Sequence, residues 1–137
     1  MMRLVVTAVL LSVGTLSASA QVRDTTPTDP VVRGEYIATS VGHCIQCHSP
    51  HDSKGELLRD QLFEGQAIPF PSPYPAGPAW AARSPSIKRL PGWSTEEFVN
   101  ILMTGKRFNG RRPVSPMPPF RLSREDAEAV AAYLKSL

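Results

Sequence analysis

Two cysteines are all that the 137 residues contain. So few thiols exclude a disulfide-stapled scaffold. No apolar run reaches the roughly 20 residues that cross a hydrocarbon core, so no transmembrane span is expected in the mature protein. Acid is missing from one region: between Glu97 and Glu125 there is no Asp or Glu, while Lys106, Arg107, Arg111, Arg112, Arg121 and Arg124 all fall there. No nucleic-acid motif or aromatic interleaving accompanies these cations, which argues against nucleic-acid binding. They read as solvated surface, or as charge that pairs with carboxylates or steers an acidic partner.

Residues 1–20 have the composition of a leader. Arg3 is followed by an apolar run from Leu4 to Leu16 and then by Ala18-Ser19-Ala20, a small-x-small cleavage signal before Gln21. Export to the periplasm with cleavage after Ala20 is therefore expected. Removing the first 20 of 137 residues leaves 117, the size of one domain, and takes away one arginine and no acid. Residues 21–28 form a polar lead, and residues 29–137 are the domain.

Three helices announce themselves. Asp29 can cap a first turn that has Pro30 at its opening position, and Gly34, Ile37, Ala38 and Val41 follow at helical spacing up to Gly42. A glycine on that face predicts close approach of another helix. Ser94-Thr95-Glu96-Glu97 is a capping box before Phe98, Ile101 and Leu102, with Gly105 as the stop. Ser123-Arg124-Glu125-Asp126 is another, ahead of a stripe of Ala127, Val130, Ala131 and Leu134. Between them, residues 55–65 allow a hairpin or a helical turn, whereas Pro69, Pro71, Pro73, Pro75 and Pro78 forbid regular structure up to Trp80. A loop of that length needs something besides polypeptide to hold it; Phe70, Tyr74 or Trp80 covering a cofactor, or an exposed insertion, are the two readings.

Both thiols stand in "VGHCIQCHSP", residues 41–50. A structural bridge across two residues closes almost no loop and gains little. A dithiol redox site of the thioredoxin kind needs a strand before it and a helix after it; here a helix precedes and a proline-rich loop follows. Zinc wants four ligands, and Cys47 and His48 would have to serve from one bend. Cys-x-x-Cys-His instead reads as haem attachment, with Cys44 and Cys47 forming thioethers and His48 carried to the iron. His43 and His51 are read as surface residues. Of the later methionines, Met103 lies inside a helix and packs, while Met117 projects from "PVSPMPPF", residues 113–120, whose prolines impose extended backbone. Met117 is the expected second axial ligand, the pair found in c-type electron carriers.

"GEYIATSVGHCIQCHSP", "LPGWSTEEFVNILMTGKRFNGRRPVSPMPPF" and "LSREDAEAVAAYLKSL" together resemble the class I cytochrome c domain, in particular small periplasmic cytochromes and cytochrome subunits of membrane-bound alcohol and aldehyde dehydrogenases. The resemblance implies an all-α fold, about three main helices around one haem, with a long proline-rich loop. It also implies one covalently attached haem c, thioethers at Cys44 and Cys47, axial ligands His48 and Met117, and Trp93 against a haem propionate. A proline carbonyl is to accept from the proximal histidine, with Pro78 and Pro85 both eligible. The implied function is single-electron transfer between redox partner proteins, a dehydrogenase or an oxidase, rather than catalysis. The alternatives are a five-coordinate haem sensor or peroxidase-like enzyme, and a non-haem dithiol protein.

Overall fold

The computed structural model describes residues 29–74 and 76–137; the expected leader 1–20 and lead 21–28 lie outside them. Helix α1, Pro30–Tyr36, runs into a π-helical turn, Ile37–Val41. After it come α2, Cys44–His48, a 3-10 turn Arg59–Gln61, α3, Thr95–Thr104, and α4, Arg124–Ser136. Among the described residues the only β pairings are isolated bridges, so the class is all-α as expected. No helix among them is long and apolar enough to cross a membrane.

The anticipated caps are in place. Asp29 Oδ1 accepts from Val31 N–H at 2.8 Å, Ser94 Oγ from Glu97 N–H at 3.1 Å, and Ser123 Oγ from Asp126 N–H at 3.1 Å. Each satisfies a first-turn amide that the helix itself cannot pair. Gly105 ends α3 in the left-handed region at φ 67°, where a side chain would be strained.

One expectation fails locally. Gly34, Ile37 and Ala38 are buried, but Val41, assigned to the same face, is exposed. Gly42 N–H bonds to Ile37 O, five residues back, and the wider turn rotates Val41 out of the stripe. Cys44–His48, read as a turn at the end of the first helix, is a short helix of its own.

The core forms where α1 and α4 cross and α3 packs on α4, with Phe63, Ile87 and Leu90 from the long connection filling the gap. At the crossing a Cβ on Gly34 would collide with the Ala129 carbonyl, so only glycine lets the two backbones meet. Arg33 ties the same pair by donating to Asp126 Oδ1 at 2.6 Å. Phe63 meets Tyr133 edge to face, with ring centroids 5.8 Å apart.

The long connection is more ordered than its prolines suggest. Residues 66–68 and 82–84 pair as a short antiparallel ribbon: Ile68 N–H donates to Ala82 O at 2.9 Å and Ser84 N–H to Gln66 O at 2.8 Å. The proline-rich stretch is an excursion from this ribbon. Within it Phe70 and Trp80 pack on each other, centroids 6.0 Å apart.

Candidate cofactor site

A cleft of about 630 Å³ opens between α2, α3, the ribbon and the segment after α3. Its size falls in the range in which proteins enclose a cofactor-sized ligand. Cys44, Cys47, His48, Trp93 and Met117 all line it, so residues up to 73 positions apart in sequence meet in one place. Met103 does not line it and packs against the core, as read from the helix pattern. Ile68, Ile87, Phe98, Ile101, Leu102 and Phe120 supply apolar wall.

His48 is 7% exposed, and its Nδ1–H donates to the carbonyl of Pro85 at 2.8 Å. Of the two eligible prolines, the fold selects Pro85; Pro78 is exposed in the excursion. Fixing the proton on Nδ1 leaves Nε2 as the lone-pair nitrogen, the arrangement that second-shell partners impose on metal-binding histidines. Burial pushes the His48 pKa below its ordinary value, with the Pro85 carbonyl opposing in part. The shift favours the neutral ring, the form of histidine that binds a metal.

The thiols are unpaired with each other. Burial, reinforced by Cys47 and opposed by a backbone hydrogen bond, pushes the Cys44 thiol up to about 11. Dithiol oxidoreductases depend on the opposite shift, a lowered thiol pKa. Zinc fares no better: among the described residues no group of three or more His, Cys, Asp or Glu side chains is placed to hold a metal ion.

Prolines do not keep Met117 in an extended strand. Its N–H bonds to Val114 O at 3.3 Å, closing a turn, while Ser115 pairs with Trp80. His43 is exposed in the left-handed region at φ 50° and opens α2; His51 is half-buried and hydrogen-bonds Gln66 Oε1 through Nδ1 at 3.1 Å. None of Phe70, Tyr74 and Trp80 lines the cleft; Ile68 and Ala81 hold that side. Of the basic window, Arg107, Arg111 and Arg112 line the cleft, whereas Arg124 pairs with Glu96 and Glu128 on the surface. Arg83 joins them from the ribbon, and no Asp or Glu lines the cleft among the described residues. Sequence reasoning missed Arg83 because only the ribbon's pairing brings it to the rim.

The donor set fits a covalently held haem: two thiols beside an imidazole of fixed tautomer, a thioether, apolar walls for the ring, and cations for peripheral carboxylates. A cytochrome c family model matches residues 31–137. The cytochrome c subunit of a quinone alcohol dehydrogenase from Gluconacetobacter polyoxogenes is 29% identical over 93% of this chain and 29% of its own length. The corresponding subunit from Gluconobacter oxydans (strain 621H) is 33% identical over 83% of this chain and 25% of its own. A gluconate 2-dehydrogenase cytochrome c subunit from Pantoea cypripedii is 30% identical over 80% and 26%. The chain thus spans about a quarter to a third of the length of these relatives. By the match over residues 31–137 and the fold just described, the chain belongs to the cytochrome c family.

Proposed function

We propose that this chain is an exported single-electron carrier with one haem c, bound by thioethers to Cys44 and Cys47 and ligated by His48 and Met117. The observation that carries the reading is the convergence of all four side chains on one cleft, with His48 Nδ1 already committed to Pro85. When bound, the haem supplies a one-electron ferric/ferrous couple. The Pro85 carbonyl orients the imidazole and raises the basicity of Nε2. His48 and Met117 would both hold the iron from the protein side, so that the chemistry supplied there would be electron transfer without an open position for substrate. The apolar wall from α3 would keep water from the ring, and Trp93 and the rim arginines, which line the same cleft, would hold its carboxylates.

Export rests on the leader-like composition of residues 1–20. The partner class is a dehydrogenase that donates electrons or an oxidase that takes them. The relatives' names support the dehydrogenase, and the acid-free, arginine-bearing rim supports an acidic docking surface.

Purified from periplasm, the protein is expected to begin at Gln21, carry the mass of one haem through acid-acetone extraction, and show in the ferric state the weak iron-sulfur charge-transfer band of methionine ligation. Met117→Ala abolishes that band. A colourless product, or ferrous protein that takes up carbon monoxide readily, overturns the reading.

A further inference from the structure

We propose that Ser84 is a positioning residue, the centre of a strap, residues 80–85, that holds the His48 and Met117 segments in register. The proposal deepens the reading of His48 and Met117 as ligand-bearing residues and rests on it.

The geometry begins at the C-terminal end of α2. A five-residue helix leaves its last carbonyls without intrahelical partners, and three consecutive ones are satisfied from the long connection. Gln46 O accepts from Gln66 Nε2 at 2.8 Å, Cys47 O from Ser84 Oγ at 2.5 Å, and His48 O from Gly65 N–H at 2.6 Å. Gly65 can do this because it sits at φ 80° with the Ser84 carbonyl 2.5 Å from where a Cβ would be. Ser84 is engaged at several atoms: its hydroxyl donates to Cys47 O and accepts from Gln66 N–H at 2.9 Å, and its own N–H donates to Gln66 O. The next residue is Pro85, whose carbonyl accepts from His48 Nδ1. Adjacent residues therefore grip adjacent residues, Ser84 on Cys47 and Pro85 on His48.

The other end of the strap reaches the methionine segment. Ala81 N–H donates to Ser115 O at 2.6 Å, two residues before Met117, and Trp80 pairs with Ser115. Six residues thus touch both segments, and the distance between them is set by extended chain instead of by a flexible loop. Removing the Ser84 hydroxyl leaves the Cys47 carbonyl and the Gln66 amide short of a partner, frees the Pro85 carbonyl to drift, and weakens its bond to Nδ1. A less basic imidazole stabilises ferric iron less, so the potential rises.

The test compares holoproteins of wild type, Ser84→Ala, Ser84→Thr and Ser86→Ala. Ser86 is the control: its hydroxyl donates to Phe63 O at 3.3 Å, a similar bond that does not touch α2. Two readings are taken, the ferric-to-ferrous ratio at a fixed poise and the alkaline pH at which the ferric iron-sulfur band is lost. In Ser84→Ala the ratio falls roughly two- to tenfold, the factor carried by one hydrogen bond, and the band is lost at lower pH; Ser84→Thr restores both, and Ser86→Ala moves neither. Failure of Ser84→Ala alone to retain haem supports the proposal equally. Ser84→Ala matching wild type in both readings overturns it, as does an equal shift in Ser86→Ala. A wild-type protein with no iron-sulfur band rejects Met117 as ligand, a separate failure; the ratio still decides the role of Ser84 toward His48.

Discussion

Arg107 lies over the indole of Trp93, its guanidinium carbon 4.6 Å from the ring centroid, while its Nε donates to Glu97 Oε1 at 3.0 Å. The Arg107 charge, read from sequence as solvated surface or as a pairing or steering cation, thus has an aromatic and an acidic partner within the chain. Arg107 and Trp93 both border the cleft. Arg107→Ala is expected to lower stability by about 0.5–1 kcal/mol, the scale of an exposed cation-π contact and a screened ion pair. Urea unfolding of the holoprotein checks it, with Arg107→Lys keeping part of the difference. An unchanged midpoint in Arg107→Ala removes the stacking as a stabilising contact.

Gly34→Ala should cost about 1–3 kcal/mol or more, because the added methyl overlaps the Ala129 carbonyl and neither helix backbone can yield alone. Neither residue lines the cleft, so the visible spectrum stays as it is while the thermal midpoint falls. A loss under about 0.5 kcal/mol, the scale of an ordinary surface change, would mean that α1 and α4 slide apart freely.

Asp52 supplies a pH dependence. Its Oδ1 accepts from the N–H groups of Glu56 at 2.9 Å and Lys54 at 2.8 Å, which hold its carboxyl below the usual carboxylate range. Since the folded value lies under the unfolded value of about 3.9, the support it gives the 52–56 turn is complete above that pH. That support is lost as pH falls through the folded value. Amide exchange at Gly55 and Glu56 should accelerate in acid beyond the intrinsic trend. In Asp52→Asn, which keeps an acceptor but does not titrate, this extra loosening disappears; its persistence there would assign the effect to another group.

The rim arginines predict a salt response. Oxidation of the reduced protein by ferricyanide, an anion, is expected to slow as ionic strength rises, and Arg111→Glu with Arg112→Glu to slow it about tenfold at low salt. Neither residue has an acidic partner among the described ion pairs, so the substitutions break no such contact. A rate indifferent to salt in both proteins would show that these charges do not steer.

Much of the helical frame was legible because its signals are local. A capping serine and the acid three residues on meet through one turn of chain, and the stripe Ala127, Val130, Ala131, Leu134 is buried in full as its spacing requires. Val41 escaped because a π turn is a change of hydrogen-bond register that leaves no trace in residue type. The pairing of residues 66–68 with 82–84 escaped for a related reason: the partners are separated by the prolines that made the region read as structureless.

By itself the sequence determined which chemistry to expect: Cys44, Cys47 and His48 within five residues at the end of a helical stretch, and Met117 among prolines, point to a haem through residue type and short spacing alone, and the chain belongs to the cytochrome c family. Which proline carbonyl accepts the His48 Nδ1–H hydrogen bond, that Arg83 and not Arg124 reaches the rim, and that residues 80–85 touch both the His48 and the Met117 segments were decided only in three dimensions. Those outcomes depend on hydrogen bonds between residues tens of positions apart, and such bonds follow from packing, which no local pattern encodes.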